Sequence, residues 1–271
     1  RFQKNKGEST LSKRYLKVIG AFLVVLVLFA TVMAPTVQAA FPDLRPDHWC
    51  YEKITDFESR GYVKGYTDGS FRPDGVITRA EFVTLVNNFF GYKIDEDDVP
   101  NFTDVKKTDW FAPQIAQAVE RGYISGYTDK TFRPYEPIRR QEAVVILANI
   151  LGINNGEYEV NDAMGISRFS DADEIQPWAI NAVQRYAIYG FINGYEDGTI
   201  RIFNNVTRAE TIQLLNTVEE NVIIDRENGT TTIKPSSGGG GGGGAATRFT
   251  VKFTTDGNGT LDYENEIGKE T

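Results

Sequence analysis

The sequence predicts a mostly α-helical fold made of three helix–loop–helix repeats, followed by a glycine-rich linker and the start of a β-rich module. Three observations lead to this prediction. The same motifs recur three times in one register, each copy carries the start and stop signals of helices, and seven glycines at 238–244 precede a stretch of alternating residues. A chain with internal repeats of this kind buries its apolar faces between neighbouring units.

The repeats fall into register when their tryptophans are aligned. In each copy an aromatic-x-Asp stretch precedes the tryptophan, a glycine lies twelve residues after it and an arginine lies thirty residues after it. A Gly-Tyr pair stands between that glycine and the arginine. The aspartate, tryptophan, tyrosine and arginine of the three copies are Asp43, Trp49, Tyr66 and Arg79, then Asp104, Trp110, Tyr127 and Arg140, then Asp171, Trp178, Tyr195 and Arg208.

The first helix of each repeat begins at the tryptophan and ends before the glycine. Apolar residues after Trp110 recur with the 3.6-residue period of a helix. The glycines Gly61, Gly122 and Gly190 stand where a helix-terminating glycine adopts the left-handed conformation. A short apolar pair and a turn-rich Gly-Tyr loop then lead to the second helix.

The second helix of each repeat begins at a five-residue stretch, 77–81, 138–142 or 206–210. The first and third copies read Thr-x-x-Glu, a capping box in which the hydroxyl accepts from a first-turn N–H and the carboxylate reaches back. In the second copy Arg139 replaces the threonine, which removes a cap of typically about 1 kcal/mol. The predicted structural caps are Thr78, Glu81, Glu142, Thr207 and Glu210.

The arginine inside this stretch is not explained by capping. A cation in the first turn of a helix opposes the helix dipole unless an anion lies close by. Arg79, Arg140 and Arg208 are therefore candidate anion-binding residues.

The predicted domain boundaries are a signal peptide at 1–39, repeats at 40–91, 101–152 and 168–220, a hairpin or extension at 221–234, a glycine-rich linker at 235–247 and a truncated β-rich segment at 248–271. A repeat with two short helices buries too little surface to be stable alone, so the three repeats are predicted to share a core. Asn228-Gly229 predicts the turn of the hairpin, and the alternation of residues 249–254 indicates a strand.

Basic residues, an apolar run from Val18 to Met33 and the small-residue site at 37–39 form the layout of a secretory signal peptide cleaved after Ala39. An uncleaved membrane anchor is the alternative, since the run is only slightly short of a membrane span. The start at Arg1 and the end within a β pattern indicate a fragment of a longer protein. The membrane is expected to be contacted only transiently, through the signal peptide.

The composition of 41% hydrophobic and 12% aromatic residues is compatible with a packed core. Without residues 1–39, which hold six basic and one acidic side chain, the formal net charge falls from −8 to about −13. A surface this acidic disfavours nucleic acid as a partner.

The sequence predicts no catalytic residues, no metal site and no cofactor. His48 is the only histidine, and no nucleophile elbow or Cys/His pairing is present in the sequence. Paired carboxylates for glycoside hydrolysis stay open, because acidic residues are abundant. Cys50 is expected to be a small buried helix residue, and the acidic run 95–98 is expected to be a solvated loop, with a calcium site as the alternative.

The aromatic-x-Asp, tryptophan, Gly-Tyr-x-Asp-Gly and Thr-Arg-Ala-Glu motifs, in this order, make residues 41–216 resemble a tandem of three S-layer homology modules. The resemblance implies a pseudo-threefold unit with binding grooves between neighbouring modules. It also implies a secreted protein of the bacterial cell wall or surface layer. Its expected partner is a secondary cell-wall polysaccharide attached to peptidoglycan, often bearing pyruvate ketals, and self-assembly on the cell surface is compatible with this role.

A pyruvyl ketal is a fixed carboxylate, which an arginine can bind beside the free backbone N–H groups expected at a helix start. The predicted polysaccharide-binding residues are the four repeated types given above: the arginines, aspartates, tryptophans and tyrosines. The tryptophans have core packing at the helix start as an alternative role. The aspartates have capping of the first helix or pairing with an arginine as alternatives.

The three copies are not equal. The third has Ile200-Arg201-Ile202 where the others have Phe-Arg-Pro, and Glu196 in place of a loop threonine. We therefore expect the first groove to bind best, with Arg79→Ala weakening polymer binding more than Arg208→Ala. Two further hypotheses are that the chain is the anchor of a secreted carbohydrate-active hydrolase, and that it is a lattice-forming surface-layer subunit.

Overall fold

The computed structural model describes residues 41–154, 165–234, 249–255 and 261–265. The predicted signal peptide, 1–39, and the whole predicted linker, 235–247, lie outside the described residues. Six α-helices are described: α1 Tyr51–Ser59, α2 Arg79–Phe90, α3 Ala112–Glu120, α4 Arg140–Ile150, α5 Ile180–Ile188 and α6 Arg208–Asn221. Two short 3₁₀ helices, Ile166–Arg168 and Ala172–Glu174, precede α5. The mostly helical fold with three two-helix repeats is confirmed.

The helix ends have the local causes that the sequence predicts. Gly61, Gly122 and Gly190 follow the first helix of each repeat with φ of 75°, 69° and 74°, in the left-handed region where glycine has no Cβ penalty. Thr78 Oγ1 accepts from Glu81 N at the start of α2, while a Glu81 carboxylate oxygen accepts from Thr78 N. The ends of the first helices and the start of α2 are therefore determined by residues that lie next to them in the sequence.

The three repeats share one hydrophobic core. Fully buried side chains from every repeat, such as Phe57, Phe132 and Leu215, belong to a single cluster. Burial of a large side chain stabilises the fold by about 1.5–3 kcal/mol, so two short helices per repeat suffice only because the apolar faces are pooled.

A ring of three backbone hydrogen bonds closes the assembly. Ile77 N donates to Val206 O at 2.9 Å, Val206 N donates to Ile138 O at 3.0 Å, and Ile138 N donates to Ile77 O at 3.1 Å. These three residues occupy the same position in their repeats, so the ring has threefold pseudo-symmetry, as the resemblance implied. It lies directly before the second helices and brings their N-termini together.

A small antiparallel sheet follows α6 without a break. Its strands are β1 Val222–Asp225, β2 Thr230–Ile233, β3 Phe249–Thr255 and β4 Leu261–Asn265, in the order β1-β2-β3-β4. The guanidinium of Arg226, in the β1–β2 turn, donates to Phe89 O at 3.0 Å and so satisfies a carbonyl at the end of α2. The hairpin is thereby tied to the first repeat.

Cys50 and the acidic run 95–98 differ in their exposure to solvent. Cys50 is fully buried just before α1, where burial raises the pKa of its thiol to about 12. The acidic run 95–98 is exposed, and no group of three or more potential metal ligands occurs among the described residues. Within the described ranges, no helix is long and apolar enough to cross a membrane.

Candidate functional site

Two grooves on the surface are each built from all three repeats. Groove A, a cavity of about 630 Å³, is lined by Lys64, Tyr66, Glu81 and Thr84 of the first repeat, Trp110 of the second and Arg208 of the third. Groove B, of about 660 Å³, is lined by Tyr195, Glu196, Arg201 and Glu210 of the third repeat, Trp49 of the first and Arg140 of the second. Both therefore combine one repeat's loop and second helix with a tryptophan and an arginine from its neighbours.

The three tryptophans are exposed, and two of them form groove walls: Trp110 lines groove A and Trp49 lines groove B. Trp49, Trp110 and Trp178 are 56%, 59% and 55% exposed, although a tryptophan is usually among the most buried residues. Their alternative role as core residues at the helix start is therefore wrong. The core position is taken instead by the residue that follows, such as Phe111 after Trp110, which is fully buried. An exposed indole ring offers an apolar face on which a flat ligand surface can stack.

The repeated arginines are buried, and two of them line the grooves: Arg208 lines groove A, Arg140 lines groove B, and Arg79 lines neither. Arg79, Arg140 and Arg208 are only 4%, 8% and 7% exposed. Arg208 Nε donates to Phe71 O at 2.8 Å, and its Nη2 donates to Lys64 O at 2.9 Å, which fixes the guanidinium against the first repeat.

The arginines differ in their charged partners. Arg79 Nη1 lies 2.8 Å from Glu142 Oε1, so its charge is neutralised by a carboxylate of the second repeat. No ion pair is found for Arg140 or Arg208 among the described residues. Arg140 Nε is buried and has no hydrogen-bond partner in the same part of the chain.

The expectation of free backbone N–H groups beside the arginines is wrong. Arg208 N donates to Gly75 O and Ala209 N donates to Pro73 O, both at 2.9 Å. The other two copies repeat this pattern with carbonyls of residues 134, 136, 202 and 204. The first N–H groups of each second helix thus hold the neighbouring repeat and are not available to an anion in the groove.

The tyrosines connect the arginines to the capping glutamates. Tyr66 Oη donates to Glu81 Oε1 at 2.8 Å, and Tyr127 Oη donates to Glu142 Oε1 at 3.0 Å. Tyr195 makes the same bond with Glu210. Burial, together with this bond, raises the pKa of Tyr195 to about 12 despite the nearby Arg140. The phenol is therefore a neutral hydrogen-bonding group at physiological pH.

Arg72, Arg133 and Arg201 were not singled out from the sequence as site residues. Each lies six residues after the tyrosine of its repeat, and its guanidinium carbon is 4.0 Å from the centre of that ring. Groove B includes Arg201. The constant spacing was the available signal. Their positive φ values of 57°, 59° and 50°, unusual outside glycine, aim each side chain back over the loop.

The repeated aspartates hold the loops rather than the helices or the arginine side chains. Asp43 accepts from Phe71 N at 2.8 Å and from Arg72 N at 2.7 Å, and Asp104 and Asp171 make the equivalent pairs of bonds. Burial opposes the change, but these donors hold the pKa of Asp43 below its ordinary value. The alternative roles as first-helix caps or arginine partners are therefore wrong, and none of the three aspartates lines groove A or B.

The capping residues keep the second helices in place beneath the grooves. Thr207 Oγ1 accepts from Glu210 N at 3.1 Å, and Glu210 Oε2 accepts from Thr207 N at 2.9 Å. In the second copy Glu142 Oε2 still accepts from Arg139 N at 2.9 Å. Arginine has no acceptor atom, so only this half of the box remains there.

Comparison with known proteins identifies the repeated unit. Residues 40–83, 101–144 and 168–212 each match the family model described as S-layer homology domain. The chain is 33% identical over 187 residues, or 69% of its length, to an amylopullulanase of Thermoanaerobacterium thermosulfurigenes, and covers 10% of that enzyme.

Two further relatives are named for anchoring or for a surface layer. A cellulosome-anchoring protein of Acetivibrio thermocellus is 34% identical over 55% of the chain, which covers 32% of that protein. A surface-layer 125 kDa protein of Lysinibacillus sphaericus is 28% identical over 72% of the chain, which covers 16% of that protein. The chain thus spans between a tenth and a third of the length of these relatives.

Proposed function

Because the chain carries three tandem S-layer homology domains, we propose that these domains anchor this secreted cell-surface protein non-covalently to the bacterial cell wall. The domains bind a secondary cell-wall polysaccharide in grooves A and B. The observation that carries this proposal is the composition of each groove. An exposed tryptophan, a buried arginine and a tyrosine–glutamate pair converge there from three repeats.

This combination suits a sugar with a charged substituent. The half-exposed ring of Trp110 can stack on the apolar face of a pyranose, as Trp49 can in groove B. In groove A the guanidinium of Arg208 has no carboxylate partner among the described residues, so a pyruvyl ketal can supply one. The neutral Tyr66 and the carboxylate of Glu81 provide a donor and acceptors for sugar hydroxyls.

The geometry favours a larger contribution to polymer binding from Arg208 than from Arg79, the reverse of the ranking that the sequence predicts. Arg79 is held by Glu142, and a ligand carboxylate would have to displace this buried partner. Arg208 has no such partner within the described ranges, so groove A contributes more to binding of an acidic sugar than the Arg79 position does. In polymer binding, Arg208→Ala should then lose more affinity than Arg79→Ala.

Co-sedimentation with purified cell-wall sacculi tests the proposal. The compact unit Ala40–Thr271 should sediment with native sacculi and stay in solution with sacculi stripped of their secondary polymer. Trp110→Ala should reduce the sedimented fraction, because it removes the stacking face of groove A while the side chain contributes little to the core. Arg45→Ala, which changes an exposed arginine outside both grooves, is the matched control. Equal sedimentation with native and stripped sacculi would refute polymer binding.

The similarities favour two roles for the whole protein beyond anchoring. The amylopullulanase relative favours an anchor attached to a carbohydrate-active hydrolase, with catalysis outside the S-layer homology region. The surface-layer relative favours a subunit that assembles into a lattice. Assays of the full-length product on polysaccharide substrates, together with electron microscopy of its assemblies, distinguish these two roles.

A further inference from the structure

The two grooves carry opposite net charge. The charged residues that line groove A are Lys64, Arg208 and Glu81, a formal net charge of +1. Those that line groove B are Arg140, Arg201, Glu196, Asp197 and Glu210, a formal net charge of −1. Grooves that are equivalent by pseudo-symmetry are therefore not equivalent as electrostatic sites.

The difference arises in the loop around the tyrosine of each repeat. Groove A has Lys64 two residues before its tyrosine and Thr67 directly after it. The third repeat has Asn193 and Glu196 at these two positions. The loop of groove A therefore carries one additional cation, Lys64, and the loop of groove B carries one additional anion, Glu196.

Most charges in groove B are already matched inside the protein. Asp197 Oδ2 lies 2.7 Å from Arg201 Nη2, and the Glu210 carboxylate accepts from Tyr195 Oη and Thr207 N. Glu196 is exposed, and it forms no ion pair with another residue in the described part of the chain. Glu196 and Arg140 are therefore charges of groove B that have no ion-pair partner in the described part of the chain. Arg140 corresponds to Arg208 of groove A, so Glu196 is the charge that distinguishes groove B from groove A.

Resting on the proposed function, we infer that groove B binds an amino sugar with a free ammonium group, while groove A binds the acidic sugar. Glu196 supplies the counter-charge for the ammonium group. The exposed face of Trp49 adds the attraction of an aromatic ring for a cation. Electrostatic complementarity of this kind assigns each sugar type to its groove and disfavours the opposite arrangement. The two grooves then bind two different sugar residues of one cell-wall glycan.

Each groove contains its own spectroscopic reporter, which makes the inference directly testable. Trp110 lines groove A and Trp49 lines groove B, and Trp178 lines neither. The indole N–H signals of the unit Ala40–Thr271 are followed by NMR during titration with a glucosamine oligosaccharide and, separately, with a pyruvylated oligosaccharide. The glucosamine oligosaccharide should shift Trp49 at lower concentration than Trp110, and the pyruvylated one should do the reverse.

Two reciprocal substitutions exchange the loop chemistry. Glu196→Thr gives groove B the residue of groove A and should weaken glucosamine binding at Trp49 roughly fivefold, the upper range for one exposed charge pair. Thr67→Glu should weaken pyruvylated-sugar binding at Trp110 by a similar factor. Glu58→Gln, an exposed carboxylate of α1 outside both grooves, should change neither titration.

The outcomes separate this inference from the anchoring proposal. Equal responses of Trp49 and Trp110 to each sugar, unchanged by Glu196→Thr, would overturn the charge assignment and leave anchoring intact. Silence of both indoles towards native secondary polymer would overturn both. Titration with purified secondary polymer and with stripped, de-N-acetylated peptidoglycan identifies which wall component supplies the amino sugar.

Discussion

The buried pair between Arg79 and Glu142 predicts that Arg79 acts mainly as a structural residue. The Arg79 side chain is 5% exposed and that of Glu142 is 18% exposed, so solvent screens their contact only weakly. Arg79 Nε also donates to Phe132 O at 2.9 Å, which adds a second bond to the same neighbouring repeat. Arg79→Met keeps much of the side-chain volume but leaves a carboxylate and a carbonyl without this donor.

Removal of one partner from a buried ion pair typically costs about 3–5 kcal/mol, because the other charge is left uncompensated. We expect a loss of this size in the free energy of unfolding for Arg79→Met. Arg208→Met breaks two hydrogen bonds to carbonyl oxygens and leaves no carboxylate without a partner. Its expected loss in the free energy of unfolding is therefore smaller, about 2 kcal/mol. Urea denaturation followed by far-ultraviolet circular dichroism measures both values.

A double-mutant cycle isolates the pair itself. Arg79→Met and Glu142→Gln each remove one charge, and together they should destabilise the protein by less than the sum of the single effects, with a coupling energy of about 2 kcal/mol. Polymer binding by the folded Arg79→Met variant should stay close to the wild-type value. A coupling energy below about 0.5 kcal/mol, or a larger binding loss than Arg208→Met shows, would refute the structural assignment.

Three further predictions concern stability and its pH dependence. Tyr186 Oη is buried and has no hydrogen-bond partner in the described ranges, so Tyr186→Phe, which introduces the residue found at the equivalent position 57, should stabilise the protein by about 1 kcal/mol in urea denaturation. Because the pKa of Asp43 is lowered in the folded protein, its carboxylate stabilises the fold above its unfolded pKa of about 3.9, and this stabilisation is lost as the pH falls through the folded pKa. Asp43→Asn should therefore lower the free energy of unfolding at pH 7 and make that free energy depend less on pH in the acid range. A Cβ at Gly126 would overlap the Phe102 ring and lie 2.7 Å from a backbone oxygen. A Cβ at Gly61 would meet open space, so Gly61→Ala costs only about 1 kcal/mol for its positive φ. Gly126→Ala should therefore lower the melting temperature more than Gly61→Ala.

Features with a local cause could be predicted from the sequence, and features that depend on two repeats could not. The capping box of Thr78 and Glu81 and the glycine at 61 are determined by residues within one turn, so their patterns predicted the helix ends. The partner of Arg79 lies 63 residues away, and no local pattern distinguishes a carboxylate of the next repeat from one in a ligand. The same holds for the exposure of Trp110, which depends on how neighbouring repeats meet.

The repeated aspartates show why a correct motif can be given an incorrect role. Asp43 lies eight residues before the start of α1, and capping is a common role of an aspartate that precedes a predicted helix. Its actual partners, the N–H groups of residues 71 and 72, become neighbours only when the loop returns to the start of the repeat. Such a contact requires the fold of the whole repeat, which single-residue preferences do not contain.

The ring of hydrogen bonds among Ile77, Val206 and Ile138 also restricts how such a protein can change its repeat number. Each residue uses its N–H towards one neighbour and its C=O towards the other, so a fourth copy finds no open bond and two copies leave an unmatched donor and acceptor. Each groove likewise takes residues from all three copies. Loss of one repeat would therefore remove both grooves at once, because each groove needs a loop, a tryptophan and an arginine from three different copies.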